Sequence, residues 1–93
     1  MELKDKVAII TGGSGGIGKA MAAAFLQEGA KAVVLADLDE QAVQDAAQSI
    51  DPSGQRCVGR ACNVTNEKAV QKLTQTTIQT YGQVDVFCSN AGA

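Results

Sequence analysis

The chain has 93 residues, 45% of them hydrophobic and 19% charged, with a formal net charge of −2. That length holds one domain at most, over residues 1–93, and that balance is globular rather than disordered. The basic residues are scattered and form no stripe, the opening Met1 to Lys6 is charged, and the longest apolar run, Ala20 to Leu26, is short; no nucleic acid, secretory leader or membrane span is expected, and the protein is expected to be cytoplasmic.

Val7 to Ile10 is a continuous apolar run closed by Thr11 and glycines, which predicts a strand buried on both faces. Ile17, Ala20, Met21, Ala24 and Phe25 then recur at helical spacing, and Gly29 supplies the stop. Ala32 to Ala36 predicts a second buried strand closed by Asp37. Asp39 is positioned to cap a second helix with Val43, Ala46, Ala47 and Ile50 on its apolar face, and Asp51-Pro52-Ser53-Gly54 breaks it.

Cys57 to Val64 predicts a third strand. Thr65 or Asn66 caps a third helix that carries Val70, Leu73, Thr77 and Tyr81 on one stripe and ends at Gly82, and Val84 to Cys88 predicts a fourth strand before Ser89-Asn90-Ala91-Gly92. The order β-α-β-α-β-α-β implies an α/β fold, the first half of a doubly wound parallel sheet with right-handed crossovers and helices on both faces. Such a sheet binds ligands beyond the carboxyl ends of its strands, at the switch point between first and fourth.

Three patterns overlap after the first strand. Gly13, Gly15 and Gly18 fit G-x-G-x-x-G; Gly13, Gly18 and Lys19 fit most of a P-loop; Thr11, Gly12, Gly16, Ile17 and Gly18 fit T-G-x-x-x-G-I-G. All share one physics: glycines let the backbone approach phosphate, and the following helix turns unpaired N–H groups toward it. The P-loop reading fails at Ala20, where a hydroxyl would hold Mg²⁺. Asp37 follows at the spacing where a carboxylate accepts from ribose hydroxyls, and with no cation offered by Gly15 or Leu38 it disfavours a 2′-phosphate. NAD is favoured over NADP.

Cys57, Cys62 and Cys88 form no C-x-x-C pair and the chain has no His, so a zinc site and a Ser-His or Cys-His nucleophile are not expected. The thiols read as small buried side chains. Asn63-Val64-Thr65 spells a glycosylation sequon that, without a leader, is read as chance.

Together, the Thr11 to Gly18 motif, the Ser89-Asn90-Ala91-Gly92 strand end, the Tyr81-Gly82-Gln83-Val84-Asp85 lead into that strand and Asn63-Val64 at the third strand's end resemble the short-chain dehydrogenase/reductase family, across all 93 residues. The resemblance implies a Rossmann-type fold and an NAD-dependent oxidoreductase that moves hydride between cofactor and an alcohol or carbonyl substrate. It implies that Gly12, Ser14, Gly15, Gly16, Ile17 and Gly18 line the pyrophosphate and adenosine ribose, and that Asp37 and Leu38 hold the ribose and one side of the adenine. Asn63 and Val64 would reach the adenine edge, and Asn90, Ala91 and Gly92 would flank the nicotinamide ribose. Thr11 and Asn90 also admit a purely structural reading. Asn63 stands where the family has a carboxylate that accepts from the adenine amino group, and its side-chain oxygen is expected to accept the same bond.

The family's chemistry uses a Ser and a Tyr-x-x-x-Lys pair. The only tyrosine here is Tyr81, with Asp85 four residues on, so no catalytic residue is assigned. The chain is expected to be the N-terminal portion of a longer enzyme, homo-oligomeric when intact. The alternative is a non-catalytic nucleotide-binding or interaction module on the same fold.

Overall fold

The computed structural model describes residues 2–90. Strands and helices alternate along them: β1 (Val7–Thr11), α1 (Gly16–Gln27), β2 (Ala32–Asp37), α2 (Glu40–Ile50), β3 (Cys57–Ala61), α3 (Glu67–Tyr81) and β4 (Val86–Ser89). The strands form one parallel sheet in the order β3-β2-β1-β4. β1 therefore has β2 on one side and β4 on the other, and the switch point lies beyond Thr11.

Alternation along the strands divides the core into two layers. Ala8, Ile10, Val33, Leu35 and Cys57 face Ala22 of α1 and Val43, Ala46 and Ala47 of α2. Ile9, Val34 and Ala36 face Leu73 of α3. The layer between α2 and β3 is thin because Gly59 has no side chain: a Cβ there would lie 2.3 Å from the Val43 carbonyl oxygen. The one buried polar residue of the α3 face, Thr77, donates its hydroxyl to Leu73 O at 2.8 Å, so the methyl meets the core with the oxygen satisfied.

The helix caps follow the sequence. Asp39 accepts from Ala42 N at 3.0 Å and Asn66 from Ala69 N at 3.1 Å. Gly82 closes α3 with φ +87°, a left-handed conformation that glycine adopts without strain.

Three expectations are corrected. β3 stops at Ala61 rather than Val64, because Asn63 turns the chain: its Oδ1 accepts from Thr65 N at 3.0 Å, and no ladder continues beyond the Cys62 N–H bond to Asp37 O. β4 starts at Val86 rather than Val84, because the Asp85 side chain, not a main-chain carbonyl, takes the Val7 N–H at 2.9 Å. On α1 the buried positions are Gly18 and Ala22, with Met21, Phe25 and Leu26 packed beside them. Ile17, Ala20 and Ala24 face outward, because the smallest side chains let the helix sit closest to the sheet.

Candidate functional site

The loop between β1 and α1 is shaped by its own backbone. Gly12 has φ +69°, and Gly13 tucks under β2, donating its N–H to Ala36 O at 3.1 Å. A Cβ on Gly13 would meet Leu35 Cβ at 2.6 Å, and one on Gly18 would meet Gly12 O at 2.7 Å and Gly13 Cα at 2.9 Å. These two glycines are required by the fold of the loop itself. Gly16 differs: a Cβ there would meet nothing within 4 Å, so its bare backbone faces open space.

That open space is the N-terminus of α1. Its N-cap residue, Gly15, offers no side-chain hydrogen bond, and no acidic residue stands in the first turn. α2 and α3 each have both. The leading N–H groups of α1 and the positive end of its dipole are thus left for an acceptor from outside.

Beside them stands Asp37 at the end of β2. Its Oδ2 accepts the Ser14 N–H at 3.2 Å and the Ser14 hydroxyl, and its Oδ1 accepts the Leu38 N–H at 2.8 Å. The Ser14 hydroxyl, chiefly, and the two backbone N–H bonds hold the carboxyl below its ordinary range against a smaller opposing effect of burial. Asp37 is ionised at neutral pH. Of the roughly four acceptor sites of a carboxylate, three are engaged, which leaves room for one further donor, or two if the Ser14 hydroxyl rotates away.

The glycine loop, Asp37-Leu38, the Cys62 to Thr65 turn and Asn90 enclose one cleft of about 570 Å³ at the carboxyl ends of the strands. Every predicted binding residue that the structure describes lines it; Ala91 and Gly92 lie outside the described residues. Ile17 and Leu38 stand on its rim 68% and 70% exposed. Two large aliphatic side chains held in water beside an uncapped helix end suit a partner with both an anion and an apolar plate.

Thr11 and Asn90 are joined to the frame. The buried Thr11 hydroxyl donates to Cys88 O at 3.4 Å and accepts from Asn90 N at 3.1 Å, which ties β1 to the end of β4. The Asn90 amide nitrogen reaches Met21 Sδ at 3.3 Å. Both have a structural role, and Asn90 also borders the cleft.

Cys62 and Thr65 line the cleft without having been predicted to; they flank Asn63-Val64, the only signal that could have found them. The three thiols are free, and burial raises each, Cys57 to about 11. Among the described residues no cluster of ligating side chains could hold a metal ion, and no helix is long and apolar enough to cross a membrane. Tyr81 lies at the opposite end of the sheet, where α3 returns toward the start of β4. Burial, its largest influence, raises its phenol, the wrong direction for proton transfer near neutral pH.

The family model described as short chain dehydrogenase matches residues 6–93. A (+)-cis,cis-nepetalactol synthase of Nepeta racemosa is 44% identical over 91 residues, covering 98% of this chain and 33% of that protein. The crystal structure of a hydroxysteroid dehydrogenase from Escherichia coli superposes with a TM-score of 0.88 at 35% identity, over 99% of this chain and 39% of that one. The crystal structure of an NAD⁺-bound xylitol dehydrogenase superposes with a TM-score of 0.82 at 30% identity, over 94% and 33%. The chain spans about a third of the length of these proteins.

Proposed function

The chain belongs to the short-chain dehydrogenase/reductase family, and from that premise we propose that it is the dinucleotide-binding part of an NAD-dependent oxidoreductase acting on an alcohol or carbonyl substrate. The observation that carries this reading is the convergence, in one cleft, of the uncapped N-terminus of α1 and the ionised Asp37 carboxylate. The pyrophosphate is assigned to the first N–H groups of α1 and to the open space over Gly16. The adenosine ribose is assigned to Asp37, where a hydroxyl would use the remaining acceptor site. The adenine is assigned to the slot between the rim residues Ile17 and Leu38 and the Asn63-Val64 turn.

When bound, NAD supplies the hydride acceptor; this chain's residues supply binding, charge and orientation. Asp37 also sets the choice of cofactor, since a second anion at the ribose 2′ position would meet a fixed carboxylate, and neither Ser14 nor Leu38 offers a compensating cation. The resemblance of the fold to the NAD⁺-bound xylitol dehydrogenase supports the same choice. The proton-transfer residues, the substrate and the homo-oligomeric state belong to the whole protein and are proposed on family grounds alone.

The relative named a synthase favours a second reading, in which the same dinucleotide site serves an enzyme with another net reaction. Titration calorimetry on the full-length protein tests the first. Tighter binding of NAD⁺ than of NADP⁺, with NADH formed from an alcohol panel, supports it. NAD⁺ binding without any NADH formation moves the assignment to the second reading, and a preference for NADP⁺ overturns the cofactor assignment.

A further inference from the structure

Three contacts fix Asn90 where β4 meets the cleft. The Thr11 hydroxyl accepts its backbone N–H at 3.1 Å. Its main chain rests on the bare backbone of Gly12, where a Cβ would meet the Asn90 carbonyl carbon and oxygen at 3.2 Å. Its side-chain Nδ2 lies 3.3 Å from Met21 Sδ. The first two contacts hold the main chain and leave the amide undetermined, since its last torsion has two broadly equivalent settings. The third contact decides between them. A thioether sulfur has no proton to give, so the end of the amide that faces it is the NH₂. Among the described residues neither hydrogen bond of Asn90 uses Oδ1, and Asn90 borders the cleft.

Met21 reaches Asn90 from α1, where it packs, partly buried, against the core layer that contains Ala22. A leucine would fill nearly the same volume there. What methionine adds is an unbranched reach and a sulfur that accepts a hydrogen bond. We propose that Met21 is a positioning residue: its sulfur holds the NH₂ end of the Asn90 amide against α1 and so leaves Oδ1 as the acceptor for a ligand in the cleft. With the amide turned the other way, oxygen and sulfur lone pairs would oppose each other, and the cleft would be offered a donor in place of an acceptor. The group this arrangement suits is a hydroxyl or N–H donor at the switch point between β1 and β4. For a dinucleotide, the inference rests on the reading above. Met21 is not among the residues that line the cleft; it acts on a ligand only through Asn90, so its contribution to binding vanishes once the Asn90 side chain is removed.

The test is a double-mutant cycle on the full-length protein, with dissociation constants for NAD⁺ measured by calorimetry in the wild type, Met21→Leu, Asn90→Ala and the double variant. Loss of one weak hydrogen bond changes affinity about threefold. Met21→Leu is expected to weaken NAD⁺ by that factor in the wild-type background and by less than about 1.5-fold in the Asn90→Ala background. Equal weakening in both backgrounds, which a packing role alone would give, overturns the proposal, as does no weakening in either. The side-chain NH₂ resonances of Asn90, identified by their loss in Asn90→Asp, give a second readout that needs no ligand. They are expected to shift in Met21→Leu, and resonances that stay in place overturn the proposal. Should circular dichroism show Asn90→Ala unfolded, these resonances decide. Failure of the wild type to bind NAD⁺ is a different result: it removes the dinucleotide reading, and the resonances alone then decide whether Met21 holds the amide.

Discussion

Ser14 and Asp37 are joined twice through a single carboxylate oxygen, by the Ser14 backbone N–H at 3.2 Å and by its hydroxyl. The glycine loop that faces the cleft is thereby fastened to the strand end that faces the same cleft. The charge to which the proposed function assigns the cofactor's ribose and the loop to which it assigns the phosphates are positioned by each other. Replacing Asp37 therefore acts on both, whereas Ser14→Ala should leave the charge in place and free one acceptor site. Ser14→Ala is expected to change NAD⁺ affinity by less than about tenfold, the scale of one hydrogen bond, without changing the preference for NAD⁺. Calorimetry with both cofactors checks this, and a reversal of preference would show that Ser14, not Asp37, makes the selection.

The double variant Asp37→Ala with Leu38→Arg removes the opposing charge and adds an attractive one. It should shift the ratio of NADP⁺ to NAD⁺ affinity toward NADP⁺ by at least about tenfold, the equivalent of about 1.4 kcal/mol. A ratio that does not move would place the ribose away from the end of β2.

The two kinds of glycine in the loop separate folding from binding. Gly18→Val puts a side chain into Gly12 O and Gly13 Cα, at 2.7 and 2.9 Å from the first added carbon. It is expected to destabilise the protein by about 1–3 kcal/mol, as overpacking does, and to abolish NAD⁺ binding. The clash falls within the loop rather than only between helix and sheet. Gly16→Ala meets nothing within 4 Å and should retain wild-type melting while weakening NAD⁺. Equal melting temperatures for wild type and Gly18→Val, or unchanged affinity for Gly16→Ala, would contradict this division.

Acid sensitivity should come from carboxylates that anchor the sheet ends. Asp85 accepts from Val7 N at 2.9 Å and from Gln83 Nε2 at 2.6 Å, and the Val7 bond first, then Gln83, lowers its pKa from the ordinary 3.8. Asp37 is lowered too, chiefly by Ser14. A depressed folded-state pKa contributes stability that is complete above the unfolded value and is lost as pH falls through the folded one. Asp85→Asn should therefore lower stability at pH 7 and make little difference once pH is well below 3.8. Urea denaturation at several pH values gives the comparison; a deficit that persists undiminished into acid would assign the effect to geometry instead of charge.

The β4 side of the sheet leaves apolar surface in water. Phe87 on β4 and Ile78 on α3 are each 44% exposed, and among the described residues no strand pairs with the outer edge of β4. A polypeptide of residues 1–93 produced alone is expected to self-associate through that edge and to form no NADH from alcohols, having no Tyr-x-x-x-Lys pair. Light scattering that shows a monomer with a cooperative melt would remove the first expectation, and NADH formation the second.

Much of this molecule is written in local pattern. Four apolar runs, a glycine loop, Asp39 and either Thr65 or Asn66 at the helix starts and Gly82 at a helix end were enough to state the element order and the parallel class, because buried strands, caps and left-handed turns each demand particular residue types over a few positions. The cleft residues were legible for the same reason: in a doubly wound sheet, strand ends must gather at one edge. What the sequence did not determine is what its polar groups spend their hydrogen bonds on. That the Asn63 oxygen belongs to Thr65, that Asp37 belongs partly to Ser14, that Asp85 replaces a ladder bond at Val7, and that Gly18 and Ala22 rather than Ile17 and Ala20 face the sheet are outcomes of competition among neighbours brought together only by folding. A side chain's type states what bonds it is able to make, and only the tertiary arrangement decides which partner is within reach.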